Sequence, residues 1–283
     1  NSQELSVRIH LGGSSRQSLE TARTHLDAAV KGASTASASD LSAELFFAAE
    51  VFAKNTALRR AFADPSRDAS AKGVLIKDLF GKTVGAATVA LLTDVSTLRW
   101  SAGGDIVHVL EQLAIEAEAS AANIAGELDR VEDELFAISR VIAENFELRK
   151  ALVGTGTAEA KAALISEVLA NKAAASTIKL AKALIAQLRG RSIEAGFADY
   201  LFGLANRRNR LIAEVRVATA ITDSQKNRLA SAIEKQVGQP IRVNIQVDSS
   251  IIGGVSVKFA DELVDGSVSN RLAGAGRALS GNK

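Results

Sequence analysis

The sequence predicts a mainly α-helical protein, in which two tandem helical-bundle domains are followed by a small α+β module at the C-terminus. Apolar residues recur with a period near 3.6 over most of the N-terminal part, which is typical of amphipathic helices. A long segment of this helical part recurs 90 positions further along the chain. Near residue 210 the period changes to 2, which indicates strands. We therefore expect domains at residues 11–104, 105–209 and 210–283.

The composition limits the classes of protein to which the chain can belong. Apolar residues make up 47% of the sequence and charged residues 23%, which favours globular cores over general disorder. The 34 lysine and arginine residues nearly balance 32 acidic residues, so a broad nucleic-acid-binding face is not expected. The absence of cysteine excludes disulfides and thiolate metal sites. No run approaches the roughly 18–20 apolar residues of a membrane span, and residues 1–10 lack the apolar centre of a signal peptide.

The first bundle, residues 11–104, is predicted from one apolar stripe and from its chain breaks. The stripe consists of Leu41, Leu45, Ala48, Val51 and Phe52. The serine-rich segment 31–40 is expected to join two helices, and Pro65 is expected to end another. Gly81, in the sequence FGKTVG, is expected to cap the C-terminus of a helix.

The repeat is clearest between ELFFAAEVFAKNTALRRA, residues 44–61, and ELFAISRVIAENFELRKA, residues 134–151. The identical pairs are Glu44/Glu134, Leu45/Leu135, Phe46/Phe136, Val51/Val141, Ala53/Ala143, Asn55/Asn145, Leu58/Leu148, Arg59/Arg149 and Ala61/Ala151. The similarity continues one residue out of step, between AKGVLI at 71–76 and AKAALI at 160–165. A period near 90 is too long for a solenoid, so it indicates a duplicated bundle of roughly five or six short helices.

The second bundle, residues 105–209, repeats the pattern of the first. Its stripe contains Val131, Leu135, Ile138, Val141 and Ile142, and it continues to Leu148 and Leu152. Residues 154–157, GTGT, break the chain where DPS breaks the first copy, and residues 178–188 predict an apolar helix at the centre of the bundle. Grooves between such helices are suited to an amphipathic partner helix. The candidate partner interface consists of Leu135, Ile138, Val141, Ile142, Leu184, Ile185 and Leu188.

The C-terminal module, residues 210–283, is predicted to contain an amphipathic sheet that is covered on one side. Alternating apolar residues of the first strand are Ala213, Val215 and Val217. A capping box formed by Thr222 and Gln225 predicts a helix that ends at Gly238. A second strand is expected after Pro240.

The segment DSSIIGGVSVKFADELVDGSV, residues 248–268, is expected to turn the chain between two strands. Gly253 and Gly254 supply the backbone freedom that such a turn requires. The strand after them contains Val255, Val257 and Phe259. A phosphate-binding loop would instead lead from a strand through glycines into a helix. Asp265 and Gly266 predict a second turn, after which a short helix is expected.

Two patterns resemble sites for a phosphate or a metal. Gly81, Lys82 and Thr83 match the end of a phosphate loop, but the position of its first glycine is Ile76 and the preceding segment is helical. The histidines are His10, His25 and His108. They are scattered along the chain without an i,i+4 pair, so metal binding is not expected. No serine lies in a GxSxG pattern.

Two charged clusters are more simply explained by helix structure than by chemistry. The acidic cluster consists of Glu127, Asp129, Glu132, Asp133 and Glu134. Its helical spacing among apolar residues favours a solvated helix face over a carboxylate site. Arg207, Arg208 and Arg210 are interpreted as cations at a helix C-terminus, where the dipole favours them, although contact with phosphates or an acidic partner is an alternative. No catalytic residue and no cofactor are therefore expected.

The stretch AEVRVATAITDSQKNRLASAIEKQVGQPIRVNIQVDSSIIGGVSVKFADELVDGSV, residues 213–268, closely resembles the delta subunit of bacterial F-type ATP synthase, the counterpart of the oligomycin-sensitivity-conferring protein. The second helical copy looks like the N-terminal domain of that family, so residues 105–283 match a whole ordinary delta subunit. The additional first copy looks like the longer actinobacterial delta subunits. Some of these are fused behind a membrane-anchored b-type segment, but residues 12–30 favour a free-standing subunit.

The resemblance implies a peripheral-stalk (stator) subunit that links the catalytic head to the b stalk and resists rotor torque. It implies that the second helical copy grips N-terminal helices of the alpha subunits, and that the C-terminal module meets the b stalk. Gly253, Gly254, Asp265 and Gly266 then mark the C-terminal fold and are not catalytic. The chain is expected at the cytoplasmic side of the membrane, held there through the complex. The alternative is a non-catalytic helical adaptor unrelated to energy conversion.

Overall fold

The structure, a computed structural model, describes residues 11–238, 240–248, 255–259 and 262–265. These residues belong to two compact units, and the division along the chain falls between Ala205 and Asn206. The first unit is helical, and the second contains a small sheet with one covering helix. The predicted fold class, mainly α with a small α+β module at the C-terminus, is confirmed.

The first copy of the repeat is built from helices of 8 to 22 residues. They are α1 (Gly13–Val30), α2 (Thr35–Lys54), α3 (Thr56–Ala63), α4 (Ala69–Phe80), α5 (Ala86–Ser96) and α6 (Gly103–Ile124). Pro65 lies between α3 and α4, and Gly81 is the C-cap of α4, as the sequence predicts. The predicted connection at residues 31–40 is shorter than expected, because Ser34 and Ser37 form a capping box and α2 begins directly after Ser34.

The second copy continues with α7 (Leu128–Glu144), α8 (Phe146–Val153), α9 (Ala158–Leu169), α10 (Ala175–Ala186) and α11 (Ile193–Arg210). Asn145 begins α8 by accepting a hydrogen bond from the backbone N–H of Leu148, and Asn55 begins α3 in the same way with Leu58. The repeated asparagine in the sequence is therefore a repeated N-cap. Helix α10 buries Leu180, Ala181, Leu184 and Ile185 along one face, as expected of an apolar helix in the bundle.

Helix α6 belongs to both copies. A shift of 90 positions places α1 on α6 and α6 on α11, so α6 ends the first copy and begins the second. The predicted boundary after residue 104 falls at the beginning of this helix. Helix α6 packs against α2 of the first copy and against α10 of the second. As a result, the two copies lie within one compact unit.

The core of the first copy is aromatic and aliphatic, and it reaches into α6. Phe52 packs edge-on against Phe62 with ring centroids 5.1 Å apart, and it stacks on Phe80 at 6.2 Å. Leu110 and Leu113 of α6 belong to the same buried cluster. Burial of each such side chain contributes about 1.5–3 kcal/mol, so α6 is held mainly by the hydrophobic effect.

The C-terminal unit contains one sheet and one helix in the described residues. Its elements are β1 (Ile212–Val217), α12 (Asp223–Val237), β2 (Arg242–Val247), β3 (Val255–Phe259) and β4 (Glu262–Asp265). Ala213, Val215 and Val217 are buried, and Leu229 and Ile233 of α12 pack on the cluster that they form. The predicted capping box between Thr222 and Gln225 is present, and α12 ends at Gly238, whose φ of +76° favours glycine.

The sheet order is β2-β1-β3-β4, which differs from a simple hairpin arrangement. Strand β1 pairs with β2 in parallel and with β3 in antiparallel orientation, so β1 lies between the two strands that flank residues 249–254. The predicted turn there does not join neighbouring strands. Strand β4, which the sequence did not predict, pairs with β3 and ends at Asp265. Gly253, Gly254, Gly266 and the predicted C-terminal helix lie outside the described residues.

Candidate partner-binding site

Helix α6 is buried on every side from Leu113 to Ala122, and it packs against both copies of the repeat. Its buried residues are Ile106, Val107, Val109, Leu110, Glu111, Leu113, Ala114, Ile115, Glu116, Ala117, Glu118, Ala119, Ser120, Ala121 and Ala122. Three of them are glutamates, and a buried carboxylate is stable only if cations or hydrogen-bond donors accompany it. The partners of these glutamates therefore determine which elements α6 holds together.

Glu116 fixes α6 to α1. The Oε1 atom of Glu116 accepts hydrogen bonds from Nε and Nη2 of Arg23, at 2.9 and 2.7 Å. Gln112 donates a third hydrogen bond to the same oxygen at 3.1 Å. Burial alone would lower the pKa of Arg23, but the charges of Glu116 and Glu20 outweigh that effect and raise it. The guanidinium is thus charged, and the pair is a buried ion pair within the first copy.

Glu118 connects helices from both copies. Its carboxylate accepts a hydrogen bond from the Ser39 hydroxyl of α2 at 3.0 Å and lies 3.2 Å from the ammonium of Lys179 on α10. Lys179 also donates to the Ser39 carbonyl at 2.9 Å. The three residues come from α2, α6 and α10, so this group of polar contacts joins the first copy to the second.

Glu111 fixes α6 to the end of the second copy. Arg191 donates to Glu111 Oε1 at 2.8 Å, Tyr200 donates to the same atom at 3.2 Å, and Arg189 lies 3.4 Å from the other oxygen. Burial, followed by the charge of Glu111, raises the pKa of Tyr200 well above its usual value of 10, so the phenol stays a hydrogen-bond donor. Arg189 and Gly190 both adopt positive φ, of +51° and +78°, in the tight turn that carries the two arginines.

Helix α11 approaches α6 closely at a glycine. A Cβ atom added to Gly203 would lie 2.7 Å from Nε2 of Gln112 and 2.8 Å from Cγ2 of Ile115, which is closer than atoms tolerate. On the neighbouring helix α2, Phe46 meets Tyr200 edge-on at a centroid distance of 6.1 Å. Gly203 therefore permits a contact between α6 and α11 that a larger residue would disturb.

The repeated glutamates Glu44 and Glu134 cap a later helix of their own copy. Glu134 accepts hydrogen bonds from the Ala174 N–H at 2.8 Å and the Thr177 hydroxyl at 2.6 Å, at the beginning of α10. Glu44 accepts from the Gly85 N–H at 2.8 Å and from the Thr88 hydroxyl, at the beginning of α5. The interpretation of the acidic cluster as a solvated face is therefore wrong for Glu134, because its carboxylate accepts from one backbone N–H and one hydroxyl at the beginning of another helix.

The pKa of Glu134 reflects this capping role. Burial alone would raise it, but hydrogen bonds from Thr177, Ala174 and Arg130 together lower it. The other four residues of the acidic cluster are half-buried or exposed on or next to α7, as expected of a surface cluster.

The predicted interface residues occupy different environments in the second copy. Leu135, Ile142, Leu184 and Ile185 are buried in its core. Ile138 and Leu188 are half-buried, while Val141 is 54% exposed. The seven residues do not form one open surface, because the apolar stripe faces the interior of the bundle. Sequence analysis did not include the exposed Phe136, Phe146 and Val153 in the interface. The periodic pattern does not indicate whether an apolar residue outside the stripe is exposed.

The alternative sites lack the geometry that their chemistry requires. Gly81 follows helix α4 instead of a strand, and its N–H donates to the Lys77 carbonyl at 2.9 Å as an ordinary helix cap. His25 lies 3.1 Å from Asp94, and burial lowers the pKa of His108. His10 lies outside the described residues. In the described part of the chain no group of three or more His, Cys, Asp or Glu residues is arranged to hold a metal ion.

The arginine cluster lies at the C-terminal end of α11, as the sequence predicts. Arg207 is buried, Arg208 is half-buried, and Arg210 is the last residue of the helix. A buried arginine of this kind is a structural group, and it is a poor contact for an extended polyphosphate. Of the helices described, none has the length and apolarity needed to cross a membrane.

The sequence was compared with known families and proteins. The model of the ATP synthase delta (OSCP) subunit family matches residues 114–279. The match begins inside α6 and covers the second copy together with the C-terminal unit.

Individual relatives match the first copy as well. The chain is 39% identical over 268 residues to ATP synthase subunit delta of Streptomyces coelicolor, covering 94% of this chain and 97% of that protein. The corresponding values are 39% over 266 residues for Nocardia farcinica, with 94% and 98% covered, and 34% over 270 residues for Thermobifida fusca, with 95% and 99% covered. These alignments include both helical copies.

Proposed function

Because the chain belongs to the ATP synthase delta (OSCP) subunit family, we propose that it is a non-catalytic peripheral-stalk subunit, which links the catalytic head to the b stalk and resists rotor torque. The observation that carries this proposal is the family match over more than half of the chain, together with 39% identity to a full-length delta subunit. The localisation that follows is the cytoplasmic side of the membrane, through the assembled complex.

The structure of the helical unit is suited to a mechanical load. A stator must transmit torque without slipping, so its parts must not move relative to one another. Helix α6 is held to the first copy by Glu116 and Arg23, and to the second by Glu111 and Arg191. Separating the copies would expose buried ion pairs and apolar surface together, which is costly.

We further propose that the helical unit binds N-terminal helices of the alpha subunits, and that the C-terminal unit binds the b stalk. Exposed apolar side chains on the second copy, including Val141 and Phe146, are suited to contact an amphipathic helix. In the C-terminal unit the described edge strands of the sheet are β2 and β4. Val247, at the end of β2, is 58% exposed and offers an apolar contact for the b subunit.

Binding experiments with the full chain test this function. We expect a synthetic N-terminal peptide of the alpha subunit and the C-terminal helix of the b subunit to bind the chain independently in calorimetric titrations. ATP hydrolysis by the purified chain should equal the buffer blank. Binding of neither partner, together with absence of the chain from purified ATP synthase, would favour the alternative of an unrelated helical adaptor. Hydrolysis that purifies with the chain would exclude a purely structural role.

A further inference from the structure

A half-buried histidine lies beside the ion pair that fixes α6 to the end of the second copy. His108 precedes Glu111 by three positions on α6, so the two side chains share one face of the helix. The Nδ1 atom of His108 is buried, and it has no hydrogen-bond partner within the described residues. A buried polar atom without a partner is costly, so this histidine requires a physical explanation.

Glu111 and Arg189 also have unused hydrogen-bonding capacity. The Oε1 atom of Glu111 accepts from Arg191 and Tyr200, but Oε2 accepts no hydrogen bond from the residues that the structure describes. Arg189 Nη1 lies 3.4 Å from Oε2, and in the described part of the chain neither Nη1 nor Nε of Arg189 makes a hydrogen bond. The contact between Arg189 and Glu111 is thus a loose ion pair, whose oxygen can accept from another donor.

The turn that carries Arg189 is conformationally strained. Residues 187–192, which we call the connecting turn, lead from the end of α10 at Ala186 to the beginning of α11 at Ile193. Arg189 adopts a φ of +51°, a conformation that residues other than glycine rarely populate. The connecting turn is therefore held in place by its surroundings, and the contact of Arg189 with Glu111 is one of these restraints.

Charges of both signs act on His108. They belong to Asp105 and Glu111 of α6, to Arg189 and Arg191 of the connecting turn, and to Asp199 of α11. Burial lowers the pKa of His108, the charge of Glu111 opposes this effect, and the two guanidinium groups add to it. His108 is therefore neutral at pH 7 in this conformation of the connecting turn.

We propose that the connecting turn is a pH-sensitive switch, in which protonated His108 takes Oε2 of Glu111 from Arg189 and thereby releases the turn. Protonation makes both ring nitrogens donors, so Nδ1 gains a hydrogen atom for that oxygen. It also places a third cation next to Arg189 and Arg191, and these cations repel one another. Arg189 then leaves its strained conformation, and the beginning of α11 loses a restraint. The proposal concerns the helical unit alone and does not depend on the stator function, so the two can fail separately.

The direction of the pH dependence follows from linkage between protonation and release. In the released turn the pKa of His108 returns towards its usual value of about 6.5, whereas the described conformation holds it lower. The released form therefore binds the proton more tightly, and its population rises as the pH falls below about 6.5. Between pH 7.5 and pH 5.5 a single histidine raises this population by at most about tenfold.

Hydrogen exchange of the full chain measures the release. After correction for intrinsic rates, the amides of residues 187–192 should exchange several-fold faster at pH 5.5 than at pH 7.5. In His108→Gln, whose side chain is polar but cannot be protonated, this acceleration should be absent. His25→Gln is the matched control, because His25 pairs with Asp94 in the first copy, and it should behave as the unmodified chain does. Equal acceleration in the unmodified chain and in His108→Gln, or none in either, would overturn the proposal.

The titration of His108 itself is a second measurement, which does not require that His108→Gln folds. The imidazole signals of His108, followed by NMR in the full chain, should give a pKa below the usual value. Arg189→Asn should raise this pKa, because one repelling cation is removed while Glu111 remains, and asparagine tolerates positive φ. An unchanged or lower pKa in Arg189→Asn would contradict the proposed exchange of partners.

The single tyrosine and the single tryptophan distinguish local release from general unfolding. Tyr200 donates to Glu111 close to the connecting turn, whereas Trp100 belongs to the core of the first copy. At pH 5.5 the NMR signals of the Tyr200 ring should differ from those at pH 7.5, while the fluorescence of Trp100 should be unchanged. A simultaneous change at both residues would indicate acid unfolding of the whole helical unit, and a local switch would be excluded.

Discussion

At the scale of single residues, identity between the two copies often reflects a backbone requirement. Glu44 and Glu134 are identical because each accepts hydrogen bonds from the first turn of a later helix. Asn55 and Asn145 are identical because each caps the helix that follows it. Sequence reasoning found the asparagine and glutamate pairs, but it assigned Glu134 to a solvated face. The two donors that belong to α10 lie 40 and 43 positions from Glu134, and no local pattern indicates them.

Glu134 supplies a pH-dependent part of the stability. Its pKa is lowered by folding, so the stabilisation is complete above the usual glutamate pKa of about 4.3 and is lost as pH falls through the lower folded value. We expect Glu134→Gln to lower the free energy of unfolding by about 1–2 kcal/mol at pH 7. Urea titrations should show this difference shrinking towards pH 3.

A matched control uses another glutamate of the same helix. Within the described residues Glu144 pairs with Arg140, and both side chains are about two-thirds exposed. Glu144→Gln should change the free energy of unfolding by less than about 0.5 kcal/mol at either pH. If Glu134→Gln changed the free energy of unfolding equally at pH 3 and pH 7, the negative charge of Glu134 would not be the cause of the stabilisation.

At the scale of elements, periodicity predicted which segments form helices and strands, because that pattern depends on neighbouring residues alone. It did not reveal that α6 packs against helices of both copies, because such contacts join distant parts of the chain. It also left open whether the strands before and after residues 249–254 are neighbours in the sheet. Strand order depends on pairing between distant segments, and β1 separates these two strands. Strand β4 is short and contains two acids, so its pattern was weak.

The contact between α6 and α11 depends on the absence of a side chain at Gly203. We expect Gly203→Leu to lower the free energy of unfolding by about 1–3 kcal/mol, since the added atoms overlap Gln112 and Ile115. The measurement is urea unfolding of the full chain followed by circular dichroism. Gly104→Leu is the control, because no atom lies within 4 Å of a Cβ at that position. A neutral Gly203→Leu would show that the two helices separate easily.

At the scale of the whole molecule, the residues matched by the family model differ from those that form the compact helical unit. The match begins at residue 114, whereas the compact helical unit also includes α1 to α5. The sequence indicated the duplication, but it did not indicate how the two copies are joined. We expect each copy to depend on the other, because Glu116 and Glu118 of the shared helix bind Arg23 and Ser39, which lie more than 75 positions away.

Removal of the first copy tests this dependence. A chain that begins at Gly103 keeps every residue of the family match, but it leaves Glu116 without Arg23 and exposes the alanines of α6. We expect this chain to aggregate or to unfold at a markedly lower urea concentration than the full chain, as seen by size-exclusion chromatography and circular dichroism. An equally stable, monodisperse product would show that the second copy folds independently.

The double use of α6 also determines how such a chain can lengthen. Because the closing helix of one copy is the opening helix of the next, adding a copy requires five new helices and about 90 residues, not a complete six-helix bundle. A spacing of 90 keeps the N-caps Asn55 and Asn145 in register, and the spacing of 89 between the beginnings of α4 and α9 shows that a one-residue difference is absorbed in a loop. A further copy would therefore lengthen the helical unit by five helices at a time.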